Sequence, residues 1–478
     1  MNERMSVHLS GDGCRDDGCP DLVADMPKGC GESPLKVTYF SPVGTIGGAE
    51  MCLLDVLAAV KKARPEWSLK VLLGADGPLR EAVAALDSRT HVLPLPGGLA
   101  RMGDAGGEPD RSRWGRGGAF LARGSTVALG TAAYVARLRR WLRAEAPDVL
   151  QTNGMKAHVL GAWAAPRQLP VIWHLHDYTS SRPVMARLLR GAARRGIHAV
   201  AVSHSVAEDA RRSLGARATI QTIYNAVDLD RFAPPRVDGG EAKLDEGAWL
   251  DRAAGMPPVP AGTVRLGLVA TFAVWKGHEL FLKAVSRIPA SAGCRFYVVG
   301  GPIYQSRGSQ VSLEALQARV QELGLADRVG FVGHQADPAR AIRSLDVVVH
   351  ASTRPEPFGR VIAEGMACGR AVVAVNDGGS AELFEEGVTA LGCPPRDAAA
   401  LAHAMTRLAA DPSLRSRLGA AGRASACSRF DRDRLAEPWA QVYSALNHTS
   451  AQVPNSSELS QCVQDQSGIV AMKDIVIS

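Results

Sequence analysis

The sequence predicts an α/β protein of two doubly wound domains, each a parallel sheet covered by helices on both faces, with a ligand cleft between them. Three observations predict it. From residue 35 onward, short apolar runs alternate with stretches of helical period. The alternation breaks in a Pro- and Gly-rich stretch at 233–262 and then restarts. Finally, a chain of 478 residues exceeds the roughly 250–300 at which a single core stops growing. A content of 46% hydrophobic and 22% charged residues is enough for two ordinary cores and excludes a chain disordered throughout.

Residues 1–34, rich in Gly, Asp and Cys without periodicity, are expected to be a disordered leader. Cys14, Cys19 and Cys30 within it lack a fourth ligand at zinc-finger spacing. The first domain, 35–232, reads as the strands LKVTYFS, LKVLLGA, HVLPLP, DVLQTNG, PVIWHLHD, HAVAVSHS and TIQTIYNA, with the helical stretch GAEMCLLDVLAAVKKA after the first. Residues 97–125 are poor in apolar side chains and are expected to form a long mobile loop. The arginines there (Arg101, Arg111, Arg113, Arg116, Arg123) are either solvated or acceptor-binding. Residues 233–262 read as an interdomain connection. The second domain, 263–430, carries VRLGLVAT, CRFYVVGG, RVGFVGHQ, DVVVHAS and RAVVAVND. A closing helix at 431–447 and a polar tail at 448–478 complete the chain.

No apolar run reaches the roughly 18–20 residues that span a bilayer, and the first thirty residues lack a signal-type apolar stretch, so a cytoplasmic protein is expected. Nine scattered cysteines form no disulfide framework, which suits a reducing compartment. Residues 36–232 hold 27 Lys and Arg against 16 Asp and Glu, an excess larger than the whole chain's net charge of +7. Either this half faces an anionic membrane or a phosphate-bearing acceptor, or arginine-rich coding bias produced it. RPVMARLLRGAARRG, with Arg187, Arg190, Arg194 and Arg195 beside apolar positions, is likewise a peripheral membrane helix or a solvated structural one. No nucleic-acid partner is expected.

The segment RPEPFGRVIAEGMACGRAVVAVNDGGSAE carries most of the chemistry. Glu356 lies in a Pro-rich turn after a strand, and Glu364 about 7–8 Å along the helix that starts near Gly359. That spacing suits one carboxylate on a sugar and one on a ribose, with a diphosphate between them at the helix start. Gly359, Gly378 and Gly379 permit close backbone approach, and Lys276 in VATFAVWKGHELFLKA, between a strand and a helix, is the best phosphate cation. In the first domain Gly47 and Gly48 open a helix and can offer amides to a phosphate or an acceptor. His174, His176 and Asp177 end the fifth strand, where they can orient a hydroxyl; their spacing fits no metal-binding pair. The run Asp228-Leu229-Asp230 reads as a turn cap, and no metal ion or cofactor is expected.

In this order, GGAE, HD, SHSV, IYNAVDLDRF, WKG, EPFGRVIAEGMACG and GGSAE resemble the family-four retaining glycosyltransferases over residues 35–446. The resemblance implies a GT-B fold, two facing Rossmann-like domains with an interdomain cleft, and transfer of a sugar from a UDP- or GDP-type donor to a glycan or lipid-linked acceptor hydroxyl. It implies sugar contacts for Glu356 and for the backbone at Phe358 and Gly359, ribose contacts for Glu364, phosphate contacts for Lys276 and Gly48, and a place at the reaction centre for His176. It also implies retention by front-side displacement, without a covalent enzyme intermediate, in polysaccharide or glycoconjugate biosynthesis. The chain departs from the family at Thr271, which stands five residues before the lysine where an Arg is usual; Arg360 is the candidate substitute. Rival readings are a nucleotide-sugar epimerase and a non-catalytic nucleotide-sugar-binding subunit.

Overall fold

The structure, a computed structural model, describes residues 34–101, 117–234, 242–302 and 309–451. The cysteine-containing leader and the tail from residue 452 lie outside the described residues.

The first lobe is built on β1 (Lys36–Ser41), β2 (Ser68–Leu73), β3 (Arg89–Val92), β4 (Val149–Asn153), β5 (Val171–Leu175), β6 (Ile197–Ala201) and β7 (Ala218–Thr222). These strands form one parallel sheet in the order β3-β2-β1-β4-β5-β6-β7. Its helices are α1 (Gly48–Ala63), α2 (Pro78–Ala84), α3 (Gly97–Arg101), α4 (Gly117–Glu145), α5 (Met155–Ala164), α6 (Pro183–Ala193) and α7 (His204–Leu214). After α8 (Ala242–Ala253), the second lobe carries β8 (Val264–Val269), β9 (Cys294–Val299), β10 (Val329–Gly333), β11 (Val347–His350), β12 (Ala371–Val375) and β13 (Leu391–Cys393). They are parallel too, in the order β10-β9-β8-β11-β12-β13. Around them pack α9 (His278–Val285), α10 (Leu313–Glu322), α11 (Pro338–Ser344), α12 (Arg360–Ala367), α13 (Ala398–Ala410) and α14 (Pro412–Arg429), and α15 (Ala436–Ala451) follows. The central strands β4, β5, β9 and β12 are buried at every position; β12 (AVVAV) accordingly reads as a continuous apolar run, whereas β4 (VLQTN), β5 (VIWHL) and β9 (CRFYVV) bury polar side chains as well.

In each sheet the strand order reverses once, between β1 and β4 and between β8 and β11. Crevices at the carboxyl ends of strands flanking such a reversal are where doubly wound sheets bind ligands. The helix α15 packs on the first lobe: Trp439 and Tyr443 are fully buried there, with the Tyr443 ring 6.3 Å from Tyr39 and 6.1 Å from Trp67. At the lobe junction Phe358 and Phe430 meet edge to face at 5.8 Å, Arg360 pairs with Asp55 of α1 at 2.8 Å, and Arg231 pairs with Asp337 at 3.0 Å.

Two segments differ from the sequence reading. Residues 97–125 are not a loop throughout, because α3 opens the stretch and α4 begins at Gly117. Glycines cost a helix about 1 kcal/mol each relative to Ala, but α4 buries Tyr134, Leu138 and Leu142 along one face, and that packing overrides the local cost. The expected arginine-rich loop at 102–116, and the side chains of Arg101 and Arg123, lie outside the described residues. The expected connection at 233–262 contains α8, whose Leu250 is fully buried and whose Asp251 accepts hydrogen bonds from Arg265 (2.9 Å), Arg295 (3.4 Å) and Tyr297.

Part of the first lobe's basic excess is structural. Arg195 donates to the carbonyls of Ala162 (2.7 Å), Ala165 (2.9 Å) and Pro166 (2.6 Å), Arg139 to Trp163 O (2.6 Å) and Arg190 to Ser213 O (2.7 Å). These guanidiniums satisfy carbonyls at helix C-termini, where a cation is favoured. No helix among the described residues is long and apolar enough to cross a membrane.

Candidate active site

In the second lobe Lys276 follows β8 and Glu356 follows β11, the two strands that flank the reversal of order. The chain leaves β8, makes a 3-10 turn over Val274–Lys276 and enters α9 through Gly277, whose φ of 78° is left-handed. A side chain at Gly277 would run into the carbonyl oxygen of Ala351, so the turn needs glycine twice over. Packed this way, Trp275 O accepts from Thr353 N at 2.8 Å, and Lys276 Nζ reaches Glu356 Oε1 at 2.6 Å. Ser352 Oγ donates to the same oxygen at 2.5 Å, and His350 Nε2 stands 3.8 Å off. Burial alone would raise the Glu356 carboxyl, but Lys276 and His350 beside it hold it well below the usual carboxylate range, so it is ionised.

The turn after Glu356 is fastened to GGSAE: Gly379 N donates to Glu356 O at 2.7 Å. Gly378 and Gly379 make close backbone approaches as the sequence suggests, but to protein. A side chain on Gly378 would meet the Tyr178 hydroxyl, and one on Gly379 the Pro357 carbonyl. Phe358 turns its ring inward against Phe430 and Tyr224. Gly359, at φ 90°, is the N-cap of α12, and no side chain caps the first amides of that helix.

From the first lobe, Gly48 is exposed and a Cβ there would touch nothing within 4 Å, whereas the amide of Gly47 is taken by Glu50 Oε2 at 3.1 Å. Gly48 is thus the open end of this turn, and Gly47 is occupied by its own capping bond. Asp177 is exposed and close enough to feel the charges of both Glu356 and Lys276, which brings the HD pair and the lysine–glutamate pair into one cleft. His176 Nε2 lies 2.6 Å from Asn153 Oδ1, and burial, aided by Arg360, lowers its pKa to about 3, so the ring is neutral. His174 does not line the cleft. It is 1% exposed, its ring packed between His176 (4.0 Å) and Trp439 (4.8 Å), with Gln151 at 3.4 Å. It sits on a strand buried on both faces, which explains its place in the core.

Arg360 is not the spare phosphate cation that the sequence suggests. Its guanidinium is bound to Asp55 (2.8 Å), Glu364 (3.3 Å), Ala226 O (3.3 Å) and Cys52 Sγ (3.6 Å). Nη1 carries the contacts to Asp55, Ala226 O and Cys52, and Nε the one to Glu364. Glu364 therefore stands at the lobe junction, buried against Arg360, and burial raises its carboxyl pKa against the pull of that arginine. Thr271 Oγ1 is buried with no partner among the described residues. Asp228 caps a turn, accepting from Asp230 N (3.2 Å), Arg231 N (3.1 Å) and Arg432 (2.6 Å). Among the described residues no group of three or more His, Cys, Asp or Glu is placed to hold a metal ion.

Three contributors escaped the sequence. The Tyr178 hydroxyl donates to Glu356 O (3.1 Å) and accepts from Gly379 N (3.2 Å), with Ser205 Oγ at 3.0 Å, and so ties the lobes together beside the site. Glu382 of the second lobe accepts from His204 N (2.9 Å) and Ser205 N (2.7 Å) at the start of α7. Asn153 bridges β4, α1 and His176. Only the place of Asn153 at a strand end, ahead of a glycine, was a signal that could have found any of them.

A "Glycosyltransferase Family 4" domain model matches residues 79–231, and a "Glycosyl transferases group 1" model matches residues 259–425. The chain is 32% identical over 250 residues to a D-inositol 3-phosphate glycosyltransferase of Xylanimonas cellulosilytica, covering 51% of this chain and 56% of that one. It is 28% identical over 336 residues to a phosphatidyl-myo-inositol mannosyltransferase of Mycobacterium leprae, covering 67% of this chain and 79% of that one. Among solved structures, Alr3699/HepE of Anabaena in complex with UDP-glucose is similar at a TM-score of 0.69 and 25% identity, over 86% of this chain and all of that one.

Proposed function

We infer that this chain, which belongs to the family-four glycosyltransferases and has their GT-B fold, moves a sugar from a nucleotide diphosphate donor to an acceptor hydroxyl. The observation that carries the reading is the pairing of Lys276 with ionised Glu356 at the second sheet's reversal of strand order, opposite His176 and Asp177 of the first lobe. Glu356 accepts hydrogen bonds from sugar hydroxyls, Lys276 faces the pyrophosphate, and the first amides of α12 and α1 add partial positive charge. Glu364 is the ribose ligand in this reading, which requires its carboxylate to accept from the ribose hydroxyls as well as from Arg360.

The bond between the anomeric carbon and the diphosphate oxygen breaks while the bond from the acceptor oxygen forms on the same face, and the acceptor proton passes to the departing diphosphate. No enzyme carboxylate becomes a nucleophile; because the acceptor oxygen attacks the face from which the diphosphate departs, the configuration is retained. The protein's task is to stabilise charge on the leaving group, and one such positioned donor is commonly worth about 2.7–4 kcal/mol. Uridine donors are the first to test, because the Anabaena relative holds UDP-glucose. The acceptor is a glycan or lipid-linked glycan, in polysaccharide or glycoconjugate assembly. Peripheral attachment to an anionic membrane would use α6, where Val184 is 71% exposed. Flotation with anionic liposomes at low salt tests it, and no association there discards it.

The purified chain should be incubated with labelled nucleotide sugars and hydroxyl acceptors. Label on the acceptor, in the donor's anomeric configuration and at an unchanged rate after chelation of divalent ions, is the expected result. Interconversion of donors alone would make the chain an epimerase; binding alone would make it a non-catalytic subunit. Loss of rate on chelation would overturn the metal-independent reading.

A further inference from the structure

Asn153, the last residue of β4, is 1% exposed and makes two side-chain hydrogen bonds that together decide a proton's position. Its Nδ2 donates to Ala49 O in the first turn of α1 at 3.2 Å, and its Oδ1 lies 2.6 Å from His176 Nε2. A backbone carbonyl can only accept, so the amide nitrogen must face Ala49. The amide oxygen then faces His176, and an amide oxygen can only accept as well. His176 must therefore donate from Nε2, and in a neutral imidazole that leaves Nδ1 without a proton. Nδ1 is buried and has no hydrogen-bond partner among the described residues.

We propose that Asn153 is a positioning residue that holds His176 as the neutral tautomer protonated on Nε2, so that the unpaired Nδ1 can only accept a hydrogen bond and the ring never acts as an acid. The role of the ring rests on the transfer reading above; the tautomer does not. The surroundings agree. The charged and titratable groups around the ring are His174 on β5, Asp177 next to it in the chain, His158 on α5 and Arg360 on α12, and Arg360 opposes a second proton. Because Asn153 also holds the first turn of α1, the ring plane and the Gly48 turn are set by one side chain.

The test uses the full chain labelled with 15N-histidine, with His176 assigned by its loss in His176→Gln. Long-range 1H–15N spectra are expected to show a bare Nδ1 and a protonated Nε2 from pH 5 to 8. Asn153→Leu should give a tautomer mixture and a kcat lower by about 10²-fold, the scale of a misplaced group, with KM for the donor little changed. Asn153→Asp keeps an acceptor for Nε2–H but places a negative charge beside it, so the ring protonates more readily and kcat/KM gains a new acid limb that the wild type lacks. A wild-type spectrum with the proton on Nδ1 overturns the proposal. So does an Asn153→Asp enzyme with the wild-type pH profile, which serves if Asn153→Leu does not fold. A wild-type chain that transfers no sugar to any acceptor defeats the transfer reading while leaving the tautomer to the spectrum.

Discussion

His278, the first residue of α9, is buried with neither ring nitrogen hydrogen-bonded among the described residues, and burial, with Lys276 nearby, lowers its pKa to about 4. An unfolded histidine titrates near 6.5, so between about 6.5 and 4 the unfolded chain binds a proton that the folded chain does not. Stability is therefore fully present above pH 6.5 and is lost as pH falls, by up to about 1.4 kcal/mol per pH unit for each such group. His158, His174 and His176 are lowered by burial too and act in the same direction. His278→Leu should flatten the dependence, losing about 2 kcal/mol less than the wild type between pH 7 and pH 5. Urea unfolding at the two pH values measures this, and parallel losses in both proteins would show that His278 is not among the responsible groups.

At the scale of elements, the start of α7 shows how the lobes are fastened. A helix leaves its first amides without partners; Ser203 Oγ takes Val206 N at 3.2 Å, and Glu382 of the other lobe takes His204 N and Ser205 N while also accepting from Tyr224 at 2.9 Å. Glu382→Ala should cost about 1–2 kcal/mol, the worth of a strong cap, and speed hydrogen exchange in the first turn of α7 while α13 is unchanged. Equal exchange in α7 would mean that the contact holds nothing. Helix α8 depends on Asp251 in a similar way. Removing that carboxylate leaves Arg265 and Arg295 partly buried without their anion, so Asp251→Ala should cost about 3–5 kcal/mol and expose α8 to proteolysis.

The same elements show what was legible in the sequence. Strands such as β12 (AVVAV), buried on both faces, announce themselves as apolar runs, and the turns after β8 and β11 could be placed because glycine and proline punctuate them. The α8 helix was hidden by the prolines around it and α4 by its glycines, since tertiary burial decides both. Lys276 and Glu356 could be paired from their places at strand ends, whereas Glu382, Tyr178 and Asn153 each gain meaning from a neighbour more than a hundred residues away. Arg360 misled because a cation near a phosphate turn says nothing of the buried carboxylates that claim it.

Over the whole molecule, two sheets each reverse their strand order once, and the residues that follow those strands supply the site: Gly48 after β1, Asn153 at the end of β4, Lys276 after β8 and Glu356 after β11. Aromatic packing at Phe358 and Phe430, the Arg360–Asp55 pair and the Tyr178 hydroxyl join the lobes around it. In the function proposed above, a donor held there would have its charged centre between a lysine and helix amides and its hydroxyls against carboxylates. The most direct measurement is the rate of nucleoside diphosphate release from the chain's own donor by wild type and by Lys276→Ala, with nucleotide affinity followed by calorimetry. The expected result is a fall in turnover of about two to three orders of magnitude in a folded variant that still binds nucleotide. Release by Lys276→Ala at the wild-type rate would contradict the assignment of this lysine, and with it the site built around it.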